Sequence, residues 1–257
     1  MQPPIVIAAL GTSATALSTY THVTQRIAGD FPGHEIIWCY SSRGTATPLQ
    51  QAEMPGHLQA DEALRQLAAR GVGKAVVQPL FLLPGSEFHD FQKSLQGSPV
   101  ACSLGMPLLA APDDYHEVGE VLRPAITARP TKAILLIGHG TTHPTWTAYY
   151  SLEKILRRTF GERIFVGVIE KFPDSKTLPA EIKAAGFTEV CIIPCLLVAG
   201  MHYRRDIAGT HPTSWLSRLQ ACNLAVELMG QGLGLFAGMD KIISRHIATA
   251  LARATTV

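Results

Sequence analysis

Three polar side chains follow apolar runs in the second half of the chain, and all three are of types that bind metal ions or take up protons. They are His139 in LLIGHGTTHP, Glu170 in GVIEKFPD and His202 in VAGMHYRRD. Two imidazoles and a carboxylate suit a divalent first-row metal ion. Three protein ligands also leave coordination positions open for a substrate, as catalytic metal sites require. The same groups can instead act as general bases near neutral pH.

Each of these residues also has a purely structural interpretation. His139 can be a hydrogen-bonded turn residue, and Glu170 can form an exposed ion pair with Lys171. However, the glycines on both sides of His139 have no Cβ, which leaves the imidazole as the only sizeable side chain at that point. The coincidence of three such residues at strand ends favours a metal-binding and catalytic role over three independent structural ones.

The elements that would position these residues are short apolar runs that alternate with helix-like stretches. The runs are rich in β-branched residues and lack polar alternation, which is typical of strands buried on both faces of a parallel sheet. In chain order they are IVIAAL, EIIWCY, KAVVQPLFLL, KAILLIG, RIFVGVIE and EVCIIPCLLV. This alternation predicts the α/β class, with helices flanking parallel sheets.

The two halves of the chain repeat each other. GVGKAVVQPLFLLPGSEFHDF, which starts at Gly71, aligns without a gap on GFTEVCIIPCLLVAGMHYRRD, which starts at Gly186. We therefore predict two similar lobes, residues 1–128 and 129–257, each with a parallel sheet flanked by helices and with an active-site cleft between them.

The repeat is asymmetric at the strand ends, where open α/β sheets bind their ligands. The first-half counterparts of the three polar residues are, in the same order, Leu10, Ser42 and Glu87. A fold that needed polar groups at these positions would carry them in both copies. We therefore assign the metal-binding and catalytic residues to the second lobe.

Several other residues near strand ends are predicted to bind substrate: Thr12, Ser13, Glu87, His143, Arg204 and Arg205. Thr12 and Ser13 stand where a helix begins and can receive a carboxylate on backbone N–H groups, or serve as ordinary N-caps. His143 can orient substrate or cap the following helix. The two arginines can bind acidic groups of a ligand or remain solvated. GTSATA, at Gly11, matches neither phosphate-loop nor dinucleotide fingerprints, so no nucleotide is expected.

The composition excludes several classes of partner. The net charge of +2, without a run of basic residues, gives no reason to expect nucleic-acid binding. No segment approaches the apolar length of a membrane span, and the first residues lack the pattern of a signal peptide.

The five cysteines are scattered and odd in number, which does not suggest a disulfide framework. Cys191 and Cys195 lie in an apolar strand and are predicted to be core residues. We expect a cytoplasmic protein, and the sequence also allows a homo-oligomer.

Around His139, Glu170 and His202 the sequence resembles the class II tetrapyrrole chelatases, and most closely the CbiK-type anaerobic cobalt chelatases. The resemblance runs nearly end to end. The segments that carry it are GTS after the first strand, DEALRQLAARGVGKAVVQPLFLLPGSEF, GHGTTHPTWTAYYSLE, VGVIEKFPD, PCLLVAGMHYRRDIAG and SWLSRLQACN. In that family the histidine of GHG, the glutamate that closes the next strand and the histidine after VAG bind the metal and serve its insertion. The matching residues here are His139, Glu170 and His202.

The resemblance implies an ATP-independent lyase that inserts a divalent metal, with Co²⁺ expected and Fe²⁺ or Ni²⁺ as alternatives, into sirohydrochlorin for cobalamin biosynthesis. Iron insertion for sirohaem or haem is the alternative activity, because Co²⁺ and Fe²⁺ accept the same ligands. A carrier that binds a tetrapyrrole or a metal without chemistry is the alternative of another class. If the ligand is sirohydrochlorin, the basic residues near the strand ends would bind the carboxylates of its ring.

Overall fold

The computed structural model describes residues 2–9, 15–40 and 58–256. Within them, eight strands form two separate four-stranded sheets in which every pair of neighbours is parallel. The first sheet, in the order β2-β1-β3-β4, contains β1 (Ile5–Ala9), β2 (Ile36–Tyr40), β3 (Lys74–Pro79) and β4 (Ala101–Leu104). The second, in the order β6-β5-β7-β8, contains β5 (Ala133–Gly138), β6 (Ile164–Val168), β7 (Glu189–Pro194) and β8 (Ala225–Leu228).

Among the described residues, eight α-helices connect and flank the strands. In chain order they are α1 (Thr15–Asp30), α2 (Ala60–Ala69), α3 (Ser86–Ser94), α4 (Pro112–Thr127), α5 (Thr147–Phe160), α6 (Leu178–Ala184), α7 (Trp215–Ala221) and α8 (Met239–Thr256). None of the described helices combines the length and the apolar character of a membrane span. The predicted α/β class, with parallel sheets flanked by helices, is confirmed.

The strand registers show the internal repeat at the level of single residues. In the first sheet Ile5 of β1 pairs with Ile36 on one side and Val76 on the other. In the second sheet Ile134 of β5 pairs with Ile164 and Cys191. These are the residues that the sequence alignment of the two halves places opposite one another.

Two strands were absent from the sequence prediction, β4 and β8. Each contains four residues, lies at the edge of its sheet and is only partly buried. A short edge strand with one exposed side lacks the continuous apolar run by which the central strands were recognised. Conversely, the predicted third and sixth runs extend past Pro79 and Pro194, where β3 and β7 end. The apolar residues beyond the prolines lie in loops, where Leu80, Phe81 and Cys195 are buried and the others are partly buried.

The compact units of the chain differ from the predicted lobes, 1–128 and 129–257, in the placement of two helices. One unit comprises Met1–Ala110 and Gly238–Val257, and the other comprises Ala111–Ala237. Helix α8, which ends the second half, packs on β3, β4 and α1 of the first unit, whereas α4 packs on α5 in the second. The apolar face of a helix must be buried, but sequence periodicity does not specify which sheet will bury it.

The second unit positions the strand ends that carry the candidate site. Its core combines the inward side chains of β5, β6 and β7 with those of α6 and α7, including the fully buried Trp215. The indole of Trp215 donates a hydrogen bond to the carbonyl of Val168, at the end of β6 (3.2 Å). Cys191 and Cys195 are completely buried, as predicted, and burial raises the pKa of their thiols to about 11 and about 12.

Candidate metal-binding and catalytic site

The loops that follow β5 and β6 are joined by backbone hydrogen bonds, which places His139 beside Glu170. The amide of Glu170 donates to the carbonyl of His139 (3.1 Å). Thr141 and Phe172 then exchange two bonds of 3.2 and 3.3 Å, forming an antiparallel bridge. The hydrogen bonding between the two strands is therefore extended by their loops, and these loop bonds fix the distance between His139 and Glu170.

The two glycines that flank His139 make room for other parts of the protein. A Cβ on Gly138 would lie 2.3 Å from the ring of Tyr149, and a Cβ on Gly140 would lie 1.7 Å from the carbonyl oxygen of Glu170. Gly140 also has a φ of +91°, which favours glycine. Its amide donates to the Tyr149 hydroxyl (3.1 Å). The space expected around the imidazole is thus filled by Tyr149 and by the neighbouring loop, both of which fix the backbone at His139.

The imidazoles of His139 and His202 meet edge to face. Their Nε2 atoms are 3.3 Å apart, and the ring planes make an angle of 89°. Two metal–nitrogen bonds of ~2.0–2.1 Å would span this separation at an angle of roughly 105–110°, close to tetrahedral. The two side chains therefore already have the spacing of a pair of metal ligands.

Glu170 is close to the two histidines, but its carboxylate forms an ion pair with Lys171. Its Oε1 atom lies 3.9 Å from Nδ1 of His139 and 3.0 Å from Nζ of Lys171. The hydrogen bond from Lys171 lowers the pKa of the Glu170 carboxyl, in spite of partial burial, so the group is anionic. Lys171 itself has a φ of +62°, a left-handed conformation that is uncommon outside glycine.

Across the described residues, no group of three or more His, Cys, Asp or Glu side chains is arranged to bind a metal ion as it stands. Two of the three predicted ligands have ligand spacing, and the third is within reach of one of them. The side chains of His139, Glu170 and His202 each keep between 37% and 45% of their surface exposed, so a substrate can reach all three.

A fourth residue, Asp206, belongs to the same cluster and was missed by the sequence reasoning. Its Oδ2 atom lies 2.8 Å from Nδ1 of His202. Burial raises the pKa of the Asp206 carboxyl, but hydrogen bonds from Arg205 and His202 outweigh this effect, so the net pKa is lowered. The available signal was the spacing of four residues between His202 and Asp206, which is one helical turn.

Asp206 lies in a helical turn of π type, Tyr203–Ile207, and His202 is the residue that directly precedes this turn. The amide of Ala208 donates to the carbonyl of Tyr203 (2.8 Å), and the buried side chain of Ile207 anchors the turn in the core. Turns of π type are rare in proteins, and a large share of those that exist lie at functional sites.

The structure gives the remaining candidates different surroundings. His143 caps the short 3-10 helix Pro144–Trp146, with Nδ1 accepting from the amide of Thr145 (3.3 Å), so its predicted capping role is confirmed. The guanidinium of Arg205 is bound to Asp206, with Nε 2.8 Å from Oδ1. Arg204 is exposed on the same turn.

Glu87 is exposed in the first turn of α3, after β3, which is the strand equivalent to β7. Its place in the first unit therefore matches that of His202 in the second. Thr12 and Ser13 lie outside the described residues.

Comparison with known proteins identifies the family. Residues 4–252 match the family described as cobalt chelatase (CbiK). The chain belongs to that family. The predicted resemblance and the assignment to the metal chelatases are thus confirmed.

Curated relatives of this chelatase cover nearly its whole length. The chain is 27% identical over 258 residues to the sirohydrochlorin cobaltochelatase CbiKC of Nitratidesulfovibrio vulgaris Hildenborough, covering 96% of this chain and 90% of the relative. It is 26% identical to the sirohydrochlorin cobaltochelatase of Salmonella typhimurium LT2, covering 98% and 97%.

Solved structures share the fold of this chelatase at lower identity. SirB from Bacillus subtilis, in a structure with Fe³⁺, has a TM-score of 0.72 at 15% identity, covering 100% of this chain and 98% of the other. CbiX, described as the terminal enzyme of sirohaem biosynthesis in denitrifying bacteria, has a TM-score of 0.60 at 15% identity, covering 96% and 98%.

Proposed function

We propose that this chelatase inserts a divalent metal ion, Co²⁺ in the first instance, into sirohydrochlorin without a nucleotide. The observation that carries the proposal is the 3.3 Å separation between Nε2 of His139 and Nε2 of His202, with the Glu170 carboxylate 3.9 Å from the first imidazole. Both curated relatives named above are sirohydrochlorin cobaltochelatases.

The first step is capture of the metal ion, which is a substrate. His139 and His202 supply two nitrogen ligands of borderline softness, which suit Co²⁺, Fe²⁺ and Ni²⁺ alike. Glu170 completes the site by turning from Lys171 towards the ion, and its negative charge offsets part of the charge of the cation. Three protein ligands leave positions free for water and then for the ring nitrogens.

The second step is transfer of the ion to the ring. Sirohydrochlorin with two pyrrole N–H groups and M²⁺ gives the metallated ring and two protons, so the site must accept protons as the metal–nitrogen bonds form. His139 is the proposed acceptor because its imidazole lies between the Glu170 carboxylate and His202. Four metal–nitrogen bonds replace the ligands of the ion, and no phosphoryl transfer is required.

Binding of the ring is assigned to polar groups near the strand ends. The carboxylates of sirohydrochlorin suit Arg204, two residues after His202, and Lys171, next to Glu170. They also suit the backbone N–H groups at Thr12 and Ser13. Glu87 and His143 remain proposed substrate contacts, as does Arg205 in part, because its guanidinium already binds Asp206. Nucleic acid and membranes are not proposed partners, and the cytoplasmic location and homo-oligomeric state stay predictions.

The test is spectrophotometric, with sirohydrochlorin offered together with Co²⁺, Fe²⁺ or Ni²⁺ against a blank of metal and ring without protein. Catalysed insertion with many turnovers is expected, fastest with Co²⁺. Faster insertion of Fe²⁺ would instead support the sirohaem activity. Binding of one equivalent of ring without turnover would support a carrier. Full activity of His139→Ala would refute the proposed site.

A further inference from the structure

We propose that Asp206 is a positioning residue that presents Nε2 of His202 to the metal ion. This inference rests on the proposed function, because it assigns His202 as a ligand. The carboxylate of Asp206 accepts a hydrogen bond from Nδ1 of His202 at 2.8 Å. A neutral imidazole has one proton. When that proton is on Nδ1, the lone pair is on Nε2, the atom that faces His139.

The carboxylate is itself held in place. Arg205 donates from Nε to Oδ1 (2.8 Å) and from its terminal nitrogen to Oδ2 (3.1 Å). Only 16% of the Asp206 side chain is exposed, against 43% for His202. The ligand thus faces solvent while its support lies below the surface, which is the usual arrangement of a metal-binding histidine and its outer carboxylate.

Within residues 2–9, 15–40 and 58–256, His139 has no comparable support. Its Nδ1 atom lies 3.3 Å from the carbonyl of Gly140 and 3.9 Å from Oε1 of Glu170, both longer than the contact between His202 and Asp206. In the part of the chain that the structure describes, His202 therefore has a short bond to a carboxylate that sets its tautomer, and His139 has a longer contact. This difference predicts that the loss of Asp206 affects metal binding through His202 and leaves His139 unchanged.

The backbone around Asp206 is built to keep this geometry. The π-type turn Tyr203–Ile207 begins directly after His202 and contains Asp206. Gly209 follows the turn, at a point where a Cβ would lie 2.1 Å from the carbonyl of Arg205. That carbonyl also binds Nε2 of His211 (2.6 Å). The residues that follow the turn thus hold it by contacts that do not involve the metal ligands.

The first measurement is made on the metal-free protein, by long-range ¹H–¹⁵N correlation of the histidine rings. We expect the His202 ring to have its proton on Nδ1 in the wild type and in Asp206→Glu. In Asp206→Ala we expect a mixture of both tautomers. An unchanged His202 spectrum in Asp206→Ala would overturn the proposal. Because this measurement requires neither metal nor ring, it remains decisive even if the chain does not insert metal at all.

The second measurement is Co²⁺ affinity without the ring, from the visible absorption of bound Co²⁺. Asp206→Ala is expected to weaken binding about 10–100-fold, and Asp206→Glu to restore part of it. In insertion assays the KM for Co²⁺ should rise more than kcat falls. The matched control is Asp174→Asn, which changes an exposed aspartate in the same unit that accepts from the amide of Lys176 and pairs with its ammonium group. It should leave both readouts unchanged.

A double-mutant cycle separates positioning from general structural support. If Asp206 acts through His202, Asp206→Ala should cause no further loss of Co²⁺ affinity in a His202→Ala background. Equal losses in both backgrounds would overturn the proposal. If Asp206→Ala does not fold, Asp206→Asn has nearly the same shape and is measured in its place, with the same expected direction.

Discussion

The two sheets have the same strand order and the same registers, yet they differ in the residues that follow equivalent strands. After β5, β6 and β7 the second unit carries His139, Glu170 and His202. At the corresponding positions the first half of the sequence has Leu10, Ser42 and Glu87, of which only Glu87 lies within the described residues. Of the three first-half residues, only Glu87 is of a type that commonly binds metal ions, so the full set of two imidazoles and a carboxylate occurs in one copy of the repeat.

The sheets also differ at matched positions inside the strands. Gln78 in β3 is completely buried and donates to the carbonyls of Pro79 (2.7 Å) and Met106 (2.9 Å), whereas its counterpart in β7 is the apolar Ile193. In the edge strands, Ser103 of β4 corresponds to Glu227 of β8, which binds Arg129 and Lys132. The two sheets therefore have equivalent backbone positions, but the side chains at these positions differ in polarity and charge.

The largest expected difference between the two units is in activity. His202→Ala should lower kcat/KM for insertion by on the order of 100-fold or more, because a metal ligand is lost. Glu87→Ala, at the equivalent position, should lower it by less than about 10-fold, since no metal contact is proposed there. Steady-state kinetics of both variants, with circular dichroism as the control for folding, makes the comparison. Equal losses would mean that the two units share the metal-binding role.

The next prediction compares two glycines with positive φ. Gly140→Ala should destabilise the protein by about 3 kcal/mol or more, because a left-handed alanine adds to a backbone clash with Glu170. Gly71→Ala, with a φ of +77° and nothing within 4 Å of the added Cβ, should cost only about 1 kcal/mol. Urea unfolding measures both. Similar losses of unfolding free energy in the two variants would show that the loops after β5 and β6 can move apart to accommodate the added Cβ.

A smaller effect is expected at the matched positions inside the strands. Gln78→Met should cost about 1–2 kcal/mol, because two carbonyl groups lose a donor while the shape of the side chain is retained. Ile193→Met should cost less than about 1.5 kcal/mol, since it exchanges one apolar side chain for another. Thermal unfolding of both variants tests whether the buried amide stabilises the first sheet. If Gln78→Met is as stable as the wild type, it does not.

The smallest expected effect depends on pH. Hydrogen bonds from Arg129 and Lys132 lower the pKa of Glu227 to about 2 from an ordinary 4.5. Because the folded pKa is the lower one, the stabilisation is complete above the unfolded value and is lost as the pH falls from about 5 towards 2. Allowing for solvent screening, Glu227→Gln should cost about 1 kcal/mol at pH 7 and almost nothing near pH 2.

Ser103→Ala is the matched control for that experiment. The Ser103 hydroxyl donates to the carbonyl of Ala250 (2.6 Å), an interaction without a titrating group. Its loss should therefore cost about the same amount at every pH. Unfolding free energies measured at pH 7, 4 and 2.5 compare the two variants. A cost of Glu227→Gln that does not change with pH would contradict the assignment of Glu227 as the charged partner.

Much of the fold could be predicted from the sequence because its signals are local. β5 and β6 lie within the apolar runs that predict them, and the offset between Gly71 and Gly186 correctly places Val76 opposite Cys191 in the two sheets. The edge strands were missed because half-exposed residues give little apolar pattern. The exchanged positions of α4 and α8 could not be predicted, since an amphipathic helix does not encode the sheet that it covers.

The sequence by itself determined that two imidazoles and a carboxylate follow three strands of one parallel sheet, because strand periodicity and the repeat are properties of neighbouring residues. Only the tertiary structure decided that Nε2 of His139 meets Nε2 of His202, that Lys171 holds Glu170, and that Asp206 supports His202. The two histidines are 63 residues apart. Their contact therefore depends on strand register and on a π-type turn, both of which are set by long-range packing that no local pattern records.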